Sequence, residues 1–189
     1  MPAVSRLMKY FVRAEGKLFN SHIWFLADLT TRLHLCEASS EEESDVVIAF
    51  VAVVSRAGTD IEAALDRIPE TPRPVVLVVL HHTFDRYSIA PDSRLGVTRT
   101  DVFTVDCLFH EDQGLLRCER NDVALKEVTD HLISKGASLA SSSLPWNCQR
   151  TRLITRIAVV AVTVFFLYKL HKKSSFSRIL QRLQRHVFK

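Results

Sequence analysis

Three short polar segments hold the side chains able to do chemistry, and each follows an apolar run directly. Ser55-Arg56-Ala57-Gly58-Thr59-Asp60-Ile61-Glu62 follows the run ending at Val54, His81-His82-Thr83 follows Leu80, and His110-Glu111-Asp112 follows Phe109. In the first segment Gly58 permits a tight turn or the close approach of a phosphate to a helix N-terminus. Arg56 offers a fork of donors for a phosphate or for nearby carboxylates. Thr59 and Glu62 are spaced as a capping box, in which the threonine caps the N3 amide and the glutamate reaches back; the same glutamate is also the candidate catalytic carboxylate. His81, His82, His110 and Glu111 are of metal-ligand type. Adjacent residues of a strand point to opposite faces, however, so His81 and His82 cannot share an ion without a turn between them, and neither HxH nor HxxxH occurs. No metal site and no cofactor are expected. GxSxG, Walker A and GxGxxG are absent too, which removes the usual support for a hydrolase triad or a common nucleotide fold. The expected site is Glu62 as catalytic candidate, with Ser55, Arg56, Gly58, Thr59, His81 and His110 as ligand-binding residues.

Those segments converge only if strands bring their ends together. Asp45 to Val54 (DVVIAFVAVV) and Pro74 to Leu80 (PVVLVVL) are nearly unbroken β-branched runs, as expected of strands buried on both faces of a parallel sheet. Thr59 to Ile68 between them predicts a helix, which completes a βαβ unit with its right-handed crossover. Lys9 to Val12 and Leu35 to Ala38 predict two shorter strands. The segment between them predicts a helix from Ser21, its N-cap, to Leu33, with Ile23, Leu26, Ala27, Leu29 and Leu33 turned inward. Asp101 to Phe109 predicts a further strand, and Asn121 to Ile133 a further helix with Val123, Leu125, Val128 and Leu132 in the core. Ser39 to Ser44 is an acidic turn expected to be solvated, and the polar loop Asp85 to Thr100 is long enough for a lid. The fold class is therefore α/β: a flavodoxin-like, mostly parallel sheet of about five strands, whose ligands bind outside the carboxyl ends of the strands.

Charge divides the chain of 189 residues sharply. Residues 1–145 hold all 21 acidic side chains against 15 Lys and Arg, whereas 146–189 hold ten Lys and Arg and no acid. A tail so basic is expected to meet an anionic surface. Within it Ile157 to Tyr168 (IAVVAVTVFFLY) is apolar. Leu153 to Leu170 gives eighteen residues, near the lower limit for a spanning helix, flanked by Arg150, Arg152, Arg156, Lys169, Lys172 and Lys173. Phe176, Ile179, Leu180, Leu183 and Val187 then recur at helical spacing opposite arginines, a basic amphipathic pattern. The expected organisation is a cytosolic α/β domain over 1–133, a Ser-rich linker over 134–149, one transmembrane helix over 150–172 and a basic amphipathic tail over 173–189. Residues 150–189 are expected to engage anionic membrane lipid and not nucleic acid. Met1 to Asn20 lacks the apolar stretch of a secretory signal, and the cysteines show no zinc spacing, with Cys36 and Cys107 read as buried thiols. A tail anchor with its domain facing the cytosol follows, on the mitochondrial outer membrane or, alternatively, the endoplasmic reticulum.

Two resemblances bear on function. DVVIAFVAVVSRAGTDIEAAL, with an acid opening a buried strand and a Glu three residues beyond Gly-Thr, resembles nucleoside 2-deoxyribosyltransferases and their flavodoxin-like relatives, which include TIR-type NAD hydrolases. That resemblance implies a glutamate, Glu62, acting at a ribose anomeric carbon, with Gly58 and Thr59 lining the ligand. The sequence departs from the pattern where Ala63-Ala64-Leu65 stands for Gly-Tyr-Ala. The strings SRAGTDIEAAL, VVLVVLHHTFD and VFTVDCLFHEDQGLL are similar to small fish-type α/β proteins with a C-terminal anchor, which implies a shared fold without a reaction. The leading expectation is a membrane-anchored domain that binds a ligand, a nucleotide among the candidates, or a protein partner, in a signalling or scaffold role; a further class is a purely structural adaptor with Glu41 to Glu43 or the lid as docking surface. The alternative is an N-ribosyl hydrolase or transferase acting through Glu62.

Overall fold

The computed structural model describes residues 7–54, 56–68, 70 and 72–140. Ser55, most of the 134–149 segment, and the membrane and amphipathic segments expected over 150–172 and 173–189 lie outside the described residues. Among the described residues no helix is long and apolar enough to cross a membrane.

The strands are β1 (Met8–Glu15), β2 (Leu35–Glu37), β3 (Val46–Val53), β4 (Val75–His82), β5 (Val102–His110) and β6 (Gly114–Leu115); the helices are α1 (Ser21–Arg32), α2 (Ala57–Asp66) and α3 (Glu119–Ser134). They form an α/β fold on one six-stranded sheet in the order β2-β1-β3-β4-β5-β6, parallel except for β6, which runs antiparallel to β5. Both faces are covered, and for this reason β3 and β4 are apolar without alternation: seven of the eight residues in each are buried. Even-numbered residues of β3 and β4, such as Ile48, Phe50, Val76 and Val78, pack with α1 and α3. Odd-numbered ones, Val47, Ala49, Leu77 and Val79, pack with Ile61, Ala64 and Leu65 of α2.

Several local expectations are revised. The first helix begins at Ser21 with Asn20 as N-cap in the left-handed region, so Ser21 is inside the helix, and its inward face is Ser21, Phe25 and Leu29 while Ile23 is exposed. The second begins at Ala57, which puts Thr59 inside the first turn, where it cannot act as N-cap; Asp60 accepts from the Val54 amide instead, at 2.8 Å. In the third, Val123 is exposed and Ala124 takes its place in the core. The acidic turn is anchored as well as solvated: Glu41 receives Arg13 through two bonds of 3.0 and 2.6 Å, and Arg73 donates to the carbonyls of Ser44 and Glu42. Cys107 is fully buried, whereas Cys36 is half-buried. Packing extends past 133. The His34 amide donates to Ser138, the Ala140 amide to Arg32, and Ala137 is buried.

No α-helix joins β4 to β5. That crossover is the loop expected as a lid, with a 3₁₀ turn at Ser93–Gly96, held down by Arg99, which binds Asp101 at 2.6 Å and the carbonyl of Ile68 at the end of α2 at 2.7 Å. On the other face α3 lies along β5. Beyond β5 the only strand among the described residues is β6, two residues long and paired with Phe109 and His110. Among the described residues the greater part of the β5 edge therefore has no strand beside it.

Candidate functional site

Backbone direction along β5 follows from two observed bonds. The Leu108 amide donates to Asn121 Oδ1 at 2.7 Å and the Leu108 carbonyl accepts from Leu116, so Leu108 turns its polar groups away from β4. The Phe109 carbonyl accepts from Thr83, at the β4 side. Alternation then turns the N–H and C=O of Thr104 and Asp106 outward with those of Leu108. At Leu108 the side chain of Asn121 replaces a neighbouring strand; its Nδ2 also donates to the carbonyls of Leu108 and Leu116, at 2.8 and 2.7 Å. Below Leu108 the edge opens into a cavity of about 880 Å³. Val105 and Asp106 form its floor, the lid contributes Tyr87, Ile89 and Arg94, and the start of α3 contributes Arg117, Arg120 and Val123.

The cavity has an apolar and a charged component. Tyr87 and Ile89 are 84 and 92% exposed, and Phe84 and Leu95 of the same loop are exposed as well, so large apolar side chains are concentrated on the lid. Arg94 is engaged by Asp92 at 2.9 Å, and Arg120 donates to the Ala90 carbonyl, fastening lid to α3. Arg86 and Arg117, which also line the cavity, make no ion pair among the described residues. Asp106 is buried against the lid: His81 Nε2 lies 2.7 Å from its Oδ1, and the Ser93 amide donates to Oδ2 at 3.0 Å. Burial works to raise the Asp106 pKa, but the bonds from His81 and Ser93 outweigh it, so the carboxyl sits below the ordinary carboxylate range.

The residues expected to form the site are not gathered into one place. His81 points into the lid side of the sheet toward Asp106, and its neighbour His82 to the opposite side, where Glu111 lies 2.9 Å away. This separation is the alternation that the strand dictates. His110 stacks on His82 with ring centroids 5.1 Å apart. Arg56, Gly58, Thr59 and Glu62 are exposed at or near the start of α2, and none of them lines the cavity. At the switch point between β1 and β3, Gly16 is left-handed (φ +83°), and the buried Ser21 Oγ and His22 Nδ1 have no hydrogen-bond partner among the described residues. Asn121 was not among the functional candidates; a lone asparagine in a helical pattern carries no signal that it will stand in for a strand. No protein-family model matches the sequence, and no match is found among curated proteins.

Proposed function

We propose that the protein is a membrane-tethered interaction module whose α/β domain takes an extended segment of a partner along β5, while residues 150–189 hold the domain at an anionic bilayer. The observation that carries this reading is the strand edge of β5 beyond Leu108, where Val105 and Asp106 line a cavity between lid and α3 and the Asp106 backbone groups face away from β4. An unpaired strand edge is a template for another strand; main-chain bonds supply affinity there and pockets for alternate side chains supply specificity. Tyr87, Ile89 and Val123 suit apolar side chains of the incoming segment, and Arg86 and Arg117, which form no ion pair among the described residues, suit a carboxylate. The strand order is compatible with a flavodoxin-like sheet, whose ligand position would be the β1/β3 switch point; the open edge lies at the other end. The alternative N-ribosyl chemistry draws no support from the position of Glu62, which is exposed on α2 and outside the cavity.

The test is a random decapeptide array probed with the full chain in lipid nanodiscs. Selected peptides should combine alternating apolar residues with an acid, and Arg86→Glu with Arg117→Glu should weaken their binding at least tenfold. Equal binding by wild type and the double variant would overturn the groove. For the tether, the full chain should resist carbonate extraction and a version ending at Gln149 should not; release of both would remove the anchor.

A further inference from the structure

His82, His110 and Glu111 meet at the carboxyl ends of β4 and β5, apart from the His81–Asp106 pair. Each offers one ligand atom, and the three atoms lie within 4.8 Å of one another. The register of β4 and β5 sets His82 beside Phe109, His110 follows at the end of β5 and stacks on the His82 ring, and Glu111 opens the turn into β6 within bonding distance of His82. The His82 ring also rests edge-on against the buried Phe109 at 5.3 Å, which fixes its orientation.

We propose that these three side chains form a site for a divalent transition ion of the zinc type. The donor set is two imidazoles and one carboxylate, which suits borderline ions, whereas calcium and magnesium require oxygen ligands. At Zn–N and Zn–O lengths of about 2.0–2.2 Å, tetrahedral ligands stand about 3.4 Å apart. His82 Nε2 and Glu111 Oε2, at 2.9 Å, are already at that scale, and separations of up to 4.8 Å within the trio require side-chain rotation on binding, for which the exposed His82 and Glu111 have room. A stacked pair of imidazoles sharing one carboxylate is otherwise an exposed contact of little energetic weight. Three protein ligands leave a coordination position open, so the bound ion would keep a water or accept a donor from a ligand; structural zinc sites close that position with a fourth side chain. The site is independent of the β5 groove.

Zinc and cobalt(II) ions alone are the probes, with the full chain in detergent micelles. Wild type should bind one more equivalent than the variant His82→Ala/His110→Ala/Glu111→Gln, as read by calorimetry, and zinc should shift the imidazole NMR signals of His82 and His110. Glu111→Gln alone, at an exposed turn, leaves the fold intact and should weaken that equivalent at least tenfold. Equal stoichiometry and affinity in wild type and variants, or unmoved His82 and His110 signals, would overturn the site.

Discussion

Replacing Asn121 tests whether one side chain does the work of a missing strand. It is 4% exposed and holds three backbone groups: the Leu108 amide, the Leu108 carbonyl and the Leu116 carbonyl. In Asn121→Ala the Leu108 carbonyl keeps its bond from the Leu116 amide at 3.0 Å. The Leu108 amide and the Leu116 carbonyl are left with nothing. Each orphaned buried group costs about 1–3 kcal/mol, so the expected loss for the two is about 2–6 kcal/mol, well above the roughly 1 kcal/mol of a typical substitution. Asn121→Asp keeps an acceptor for Leu108 but turns a carboxylate toward two carbonyls. It should be at least as damaging at pH 7 and should recover part of its stability as the acid is protonated. Urea unfolding of the full chain in mild detergent, followed by far-ultraviolet circular dichroism, measures both. A loss under about 1 kcal/mol for Asn121→Ala with unchanged m would refute the reasoning, because the orphaned groups would have found other partners.

Three further outcomes follow from local geometry. The depressed Asp106 pKa implies stability that is complete above its unfolded value of about 3.9 and lost as pH falls through the lower folded value; Asp106→Asn should flatten that acid limb in a pH series of urea midpoints. Gly114 has φ +68°, and a Cβ there would stand 3.0 Å from the Trp24 ring, so Gly114→Ala should cost at least about 1–2 kcal/mol for the left-handed backbone. Trp24→Ala in the same background should return only the steric part, read by a double-mutant cycle. The Cys107 thiol, pushed far above its ordinary range by burial, should resist iodoacetamide in the folded chain and react only in denaturant.

Much of the sheet was legible, because β3 and β4 are buried on both faces and so carry no polar alternation for a helix to imitate. The opposite orientations of His81 and His82 were legible for the same reason, since period two is a property of any strand. What was not legible depends on register and on long-range partners. The meeting of His82 with His110 and Glu111 requires β4 to pair with β5 in one alignment and β6 to fold back, and β6 is only two residues long. The start of α1 at Ser21 was legible but its cap was not, and the start of α2 moved, because caps compete locally: Asn20 tolerates the left-handed region, and Asp60, not Thr59, bonds to the end of β3. The expected site stood at the start of α2, where Gly58 and Thr59 are suggestive in sequence. The cavity opens instead at β5, because a loop and not a helix covers the β4–β5 crossover.

The central claim is that β5 presents a free hydrogen-bonding edge, and residue-resolved amide exchange of the full chain tests it most directly. The amides of Thr104 and Asp106 should exchange markedly faster than those of Val105 and Cys107, which face β4, and a peptide selected on the array should slow the first pair while leaving the second unchanged. Equal protection of all four amides in the free chain, or peptide binding without any change at Thr104 and Asp106, would contradict strand addition along β5.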